Sequence, residues 1–205
     1  MKKEKHITGY KFFKGILGFI FKIYYRPKII NKENIPNEGP IIVCGNHQHL
    51  FDQNLAILST KRMLHYMAKI EYFQNKKTRW FFKASGCIPV DRKSHDGKAK
   101  EDAIKILNNG NAIGIFPEGT RNKTDDFLLP FKFGTVSMAQ KTGAFIVPFA
   151  ITGKYKFLNN HLNIRFGRPF KIPNDMDLEQ ANKKLFDSIL NLKKQGMSEI
   201  EKGII

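Results

Sequence analysis

Cysteine is scarce in this 205-residue chain: there are two, with one tryptophan. Cys44 and Cys87 lie in apolar runs, IIVCG and GCIPV, and neither belongs to a Cys-x-x-Cys or Cys/His ligand pattern. That excludes a disulfide scaffold and points to two buried thiols in a reducing compartment. A bilayer-length apolar run is also missing. The most apolar stretch, GILGFIF at 15–21, is bounded by Lys14 and Lys22, well short of the ~20 apolar residues that a span needs. The Lys22 interruption, followed by Tyr-Tyr-Arg-Pro where small residues would be required, argues against a cleavable signal peptide. Internal repeats and low-complexity tracts are absent as well.

Acidic residues are few: 18 stand against 35 Lys and Arg, for a net charge of +17. The excess is concentrated at residues 1–33 and 61–100, both rich in aromatics. A basic balance suggests nucleic acid, an anionic membrane or an acidic partner. The aromatics beside the cations favour the membrane. With 41% hydrophobic residues the chain can bury a core, and its length suits one domain.

The pattern from Thr8 to Tyr25 is helical. Phe12, Ile16, Phe19, Ile20 and Ile23 recur at three- to four-residue steps among lysines, and Pro27 should stop the helix. An apolar face with a lysine fringe suits a membrane interface; packing on the domain or a second subunit is the alternative. Strands are expected at 29–35, 40–44, 64–69, 88–90, 112–116, 145–151 and 162–166. Helices are expected at 51–59, 98–108, 135–141 and 177–195, with one or two helical turns within 72–84. This alternation implies an α/β layered sheet of mixed or mostly parallel strands flanked by helices. The expected division is an interfacial helix over 1–28 and a single α/β domain over 29–205. In such sheets chemistry lies in loops leaving the carboxyl ends of strands. The unusual residues fall there: Asn46–Asp52, Asp91-Arg92 and Glu118–Arg121.

GNHQHLFDQN, residues 45–54, packs two histidines and a carboxylate into six positions. His47, His49 and Asp52 could offer two imidazoles and a carboxylate to a metal. His6, His65, His95 and His161 are isolated, with no further ligand motif to complete such a site. The other reading is proton transfer. Five residues along a continuous helix would leave His47 and Asp52 about 140° apart. They meet if His47 lies in a loop and Asp52 in the following first turn, which the Gly45-Asn46 break allows. Asp52 would then fix the imidazole tautomer and leave the other nitrogen to take a proton. In FPEGTR, Phe116–Arg121, a glycine and an arginine at a strand end suit an oxyanion, and Glu118 could accept from a substrate hydroxyl or orient Arg121. GCIPVDR, Gly86–Arg92, offers a second arginine steered by Asp91.

In this order and spacing the chain resembles the glycerolipid acyltransferases typified by bacterial 1-acyl-glycerol-3-phosphate acyltransferase. Asn46-His47 to Asp52, Gly86–Arg92, Phe116–Arg121 and the apolar Ile146–Ala150 with Pro148 match four motifs of that family, over about residues 30–170. One departure is His49, where the family often has serine; it could donate a hydrogen bond like serine, or change pH dependence or acyl choice. The resemblance implies acyl transfer from an acyl carrier protein or coenzyme A thioester to a lysophospholipid hydroxyl. His47 would be the general base and Asp52 its orienting partner. Arg92 and Arg121, with Glu118, Gly119 and Thr120, would hold the acceptor phosphate. Asn46, His49, Asp91 and Pro148 would support them, and the oxyanion donor would be an amide after Gly45 or around Gly119. Neither metal nor bound cofactor is required. Lysophosphatidate is the expected acceptor, with another lysolipid or glycerol phosphate open. The expected partners include an anionic membrane but no nucleic acid, at the cytoplasmic face of the cell membrane. A basic membrane-binding module without catalysis, and a metallohydrolase, are the rival classes.

Overall fold

The computed structural model describes residues 7–91, 97–158 and 161–204. Seven strands form one sheet: β1 (Lys28–Ile30), β2 (Ile41–Gly45), β3 (Leu64–Lys69), β4 (Ile88–Val90), β5 (Ala112–Ile115), β6 (Phe145–Thr152) and β7 (Asn163–Phe166). Their order is β1-β7-β6-β2-β5-β3-β4. Every neighbouring pair is parallel except β6 with β7. The helices are α1 (Ile7–Tyr25), α2 (Asp52–Ser59), α3 (Glu71–Gln74), α4 (Lys76–Ala84), α5 (Lys98–Asn108), α6 (Gly134–Thr142) and α7 (Leu178–Glu201). The expected layered α/β class is therefore the observed one.

The central strands β2 and β6 read IIVCG and FIVPFAIT, apolar on both faces, as parallel strands covered on both sides must be. Ile42, Cys44, Ile113 and Ile146 pack beneath α5, α6 and α7. Ile41, Val43, Val147 and Phe149 face Phe21 of α1 and Leu55 of α2. Pro148 lacks an N–H yet sits in β6. It is tolerated where the β7 ladder is interrupted, between the Phe149–Phe166 pair and the Ile146–Phe170 bridge.

Three expected boundaries move. The strand over 29–35 stops at Ile30, because Asn31 turns left-handed (φ 57°) into a 3₁₀ turn at Lys32–Asn34. The helical stretch 72–84 divides at Asn75, whose side chain accepts from the Lys77 amide and caps α4. The last helix continues past 195 to Glu201. Gly196 stays helical and lets α7 approach the sheet: a Cβ there would stand 2.6 Å from Thr152 Oγ1.

The periodic apolar stripe of α1 faces outward. Phe12, Phe19 and Ile20 are 62%, 68% and 56% exposed, while Tyr10 and Phe21 on the other side are buried against the domain. Lys14 of the buried side donates to the Thr60 carbonyl at the end of α2. Burial, reinforced by Lys22, lowers that ammonium to about 8. Among the described residues no helix is long and apolar enough to cross a membrane.

Candidate active site

The parallel strands β6, β2 and β5 lie side by side, so their three exit loops leave the same sheet edge. Asn46 continues the β2–β6 ladder with its side chain: Nδ2 donates to the Ile151 carbonyl at 3.1 Å and Oδ1 accepts from the Ile151 amide at 2.7 Å. Backbone pairing is thus imitated for one residue after the strand ends, and the chain turns at His47. Asp52 opens α2. Its fully buried carboxylate accepts from His47 Nδ1 at 2.8 Å and from the amides of Gln48 and His49 at 2.6 and 2.7 Å, all on Oδ2. The loop-then-helix geometry expected for the pair is the one observed.

The Asp52 contact assigns the His47 tautomer: Nδ1 carries the proton, and Nε2 is left as an acceptor with no hydrogen-bond partner among the described residues. The imidazole lies flat on Phe116, centroids 4.0 Å apart at 9°, and Tyr66 stacks on Phe116 at 5.6 Å.

Glu118 does not orient Arg121 but pairs with the backbone. It is buried, Oε1 accepts from the His47 amide at 2.8 Å, and Oε2 accepts from the Leu129 amide at 2.9 Å. Both oxygens brace the two loops, and neither pairs with Arg121. Burial raises its carboxyl above the usual range; the two amides and the nearby Lys193 and His47 pull it back. Lys193 of α7 lines a polar cavity of about 140 Å³ with His47 and Glu118, and donates to the Phe127 carbonyl at 2.6 Å. Its ammonium is lowered by burial.

Gly119 closes the Phe116–Gly119 turn, donating to the Phe116 carbonyl at 2.9 Å with φ 70°, a conformation that suits glycine. The amides of His47, Gln48, His49 and Gly119 are therefore all committed internally. The amides of Thr120 and Arg121 have no intramolecular acceptor among the described residues. Arg121 is exposed, and the next residue, Asn122, donates its amide to the His47 carbonyl at 2.7 Å, which ties this loop to the His47 loop. Arg92 lies outside the described residues. Asp91 is exposed at the end of β4 on the same edge, three strands from β2, roughly 14 Å at ~4.8 Å per strand. Between the loops of β5 and β4, Lys69 ends β3 and is exposed; it carried no motif in the sequence.

His49 accepts the Phe51 amide on Nδ1 at 3.3 Å, so its neutral ring carries the proton on Nε2. Its ring stacks on Tyr155, 4.1 Å away at 19°. The Tyr155 hydroxyl donates to Asp52 Oδ1 at 2.6 Å. Tyr155 and Lys193 were missed from the sequence, and Phe116, though part of the FPEGTR motif, was given no role there. Tyr155 follows β6, so strand-exit reasoning could have found it, whereas Lys193 on a polar helix face carried no signal. Pro148 is buried in β6, paired with Cys44, and does not reach the His47 pair. No three His, Cys, Asp or Glu side chains among the described residues are placed to hold a metal ion.

A family model described as Acyltransferase matches residues 26–152. The 1-acyl-sn-glycerol-3-phosphate acyltransferase of Bacillus subtilis is 34% identical over 165 residues, spanning 78% of this chain and 81% of that protein. The enzyme of the same name from Borreliella burgdorferi is 32% identical over 141 residues, 68% of this chain and 56% of its own length. The crystal structure of the 1-acyl-sn-glycerophosphate (LPA) acyltransferase PlsC from Thermotoga maritima is similar with a TM-score of 0.75, covering 98% of this chain and 84% of that one. At 24% identity that likeness is one of fold. With a family match across more than half its length, and a relative that is 34% identical over most of the chain, this protein belongs to the acyltransferase family.

Proposed function

We propose that this protein is a 1-acyl-sn-glycerol-3-phosphate acyltransferase. It moves a fatty acyl group from an acyl carrier protein or coenzyme A thioester to the sn-2 hydroxyl, giving phosphatidic acid for phospholipid synthesis. The carrying observation is the 2.8 Å contact between His47 Nδ1 and a fully buried Asp52, at the edge shared by three strand-exit loops, with no hydrogen-bond partner for Nε2 among the described residues. The activity named for the Bacillus and Borreliella relatives supports the substrate class.

Nε2 of His47 takes the acceptor's hydroxyl proton as the oxygen attacks the thioester carbonyl. Asp52 holds the imidazolium that forms. The uncommitted amides of Thr120 and Arg121 suit the oxyanion of the tetrahedral intermediate. Collapse breaks the carbon–sulfur bond, and the thiolate leaves with the proton from His47. Such general-base assistance contributes ~10²–10⁴ in rate. Arg121 and Lys69, with Arg92 assigned by its motif, hold the phosphate and so position the hydroxyl.

The acceptor resides in a bilayer, and the exposed apolar stripe of α1 is the surface that meets it at the cytoplasmic face. Tyr72 of α3 and Trp80 of α4, 42% and 57% exposed beside the lysines of α4, extend that surface. His47→Ala in folded protein should abolish product formation from lysophosphatidate and acyl thioester while vesicle binding persists. Unchanged turnover would remove His47 as the base.

A further inference from the structure

We propose that Tyr155 is a positioning residue of this acyl-transfer site, and that it ties the catalytic His47–Asp52 pair to the lipid-facing helix α1. The proposal rests on the reading of His47 as base. Three of the four donors to Asp52 are local and crowd Oδ2: His47 Nδ1 and the amides of Gln48 and His49. Among the described residues Oδ1 is held by the fourth alone, the Tyr155 hydroxyl at 2.6 Å, which arrives from 103 residues along the chain. Tyr155 lies beyond the stretch matched by the family model, which ends at residue 152.

The tyrosine is itself held by α1. Its ring meets Tyr25 edge-on at 5.5 Å and Phe21 at 6.3 Å, and the His49 ring covers it at 4.1 Å. The connection is closed twice more: Leu158 donates its amide to the Tyr24 carbonyl at 2.8 Å, and the Phe157 ring packs on Tyr24 at 4.7 Å. The other side of the same helix carries exposed Phe19 and Ile20. A displacement of α1 by lipid is therefore passed through Tyr155 to Oδ1 of the carboxylate whose other oxygen holds the base. Burial, and the Asp52 carboxylate beside it, keep the phenol protonated far above neutrality, so it is a constant donor.

Removing that donor concentrates charge on the carboxylate and strengthens its hold on the imidazolium, so protonated, inactive His47 persists to higher pH. The other titratable groups facing the pair and the tyrosine are His49, Tyr66 of β3, Glu118, Lys193 of α7 and Tyr25 of α1. All are retained in Tyr155→Phe, which keeps the ring and deletes one oxygen. The experiment is steady-state acyl transfer to lysophosphatidate in vesicles across the acidic and neutral range, with thermal melts to verify folding. Expected for Tyr155→Phe is a kcat about tenfold lower, an acceptor KM within about twofold, and an acidic limb of kcat/KM raised by about half a pH unit. Tyr25→Leu, which keeps the hydroxyl and removes its α1 support, should lower kcat in the same direction by less. A Tyr155→Phe profile superimposed on wild type, or a change in KM alone, overturns the positioning role; an unchanged kcat in Tyr25→Leu overturns the link to α1. If His47→Ala is dead while Tyr155→Phe is normal, this inference fails alone. If His47→Ala is active, the underlying mechanism fails.

Discussion

Two buried carboxylates divide the labour at the residue scale. Asp52 collects four donors and directs a side chain; Glu118 collects two backbone amides and directs a loop. Glu118 lines the polar cavity beside His47, but its two oxygens pair with backbone amides and not with Arg121. A carboxylate offers acceptors on both sides, whereas an amide offers one and turns a donor toward the other N–H. Glu118→Gln should therefore leave either the His47 or the Leu129 amide unsatisfied, costing about 1–3 kcal/mol of stability in urea unfolding. It should lower kcat more than it changes acceptor KM, because the displaced group is the His47 backbone. Normal kcat with normal stability would show that the brace is dispensable.

Elements were legible in the sequence where their signal is local. β3 and β4 fall where alternation and apolar runs placed them, and α5 where its period did. The Ile29–Ile35 expectation failed because one asparagine in a left-handed turn ends a strand without disturbing the apolar pattern. Helix α1 was found, but periodicity cannot say which of two apolar sides a tertiary partner takes. The partner takes Tyr10 and Phe21 and leaves Phe12, Ile16, Phe19, Ile20 and Ile23 exposed. Replacing Phe19 and Ile20 together by serine should leave the melting temperature within error, since both are more than half exposed. Vesicle binding should fall roughly a hundredfold, corresponding to the loss of about 3 kcal/mol of apolar burial in lipid. Retained binding in flotation or sedimentation assays would place the membrane contact elsewhere.

For the whole molecule, a net charge of +17 and a single tryptophan allow one further measurement. Trp80 is exposed in the lysine-rich α4, so its emission should shift to the blue on anionic vesicles. Each Lys or Arg near such a surface contributes about 1 kcal/mol, screened by salt. The shift should therefore weaken on raising salt to ~0.5 M, where the Debye length is only a few ångströms. An emission unchanged by anionic lipid would exclude α4 from the interface.

The sequence by itself determined the layered α/β class, the His47–Asp52 pair and the loops that carry Glu118 and Arg121, because hydrophobic period and strand-exit chemistry are properties of short segments. Only the tertiary structure decided what surrounds the pair. The order β6-β2-β5 brings together Tyr155, His47 and Phe116, residues as far as 108 positions apart, and α7 then brings in Lys193. Those neighbours are set by which strand ends are adjacent. Strand adjacency comes from burying both faces of one sheet at once, a condition on the whole chain that no local stretch encodes.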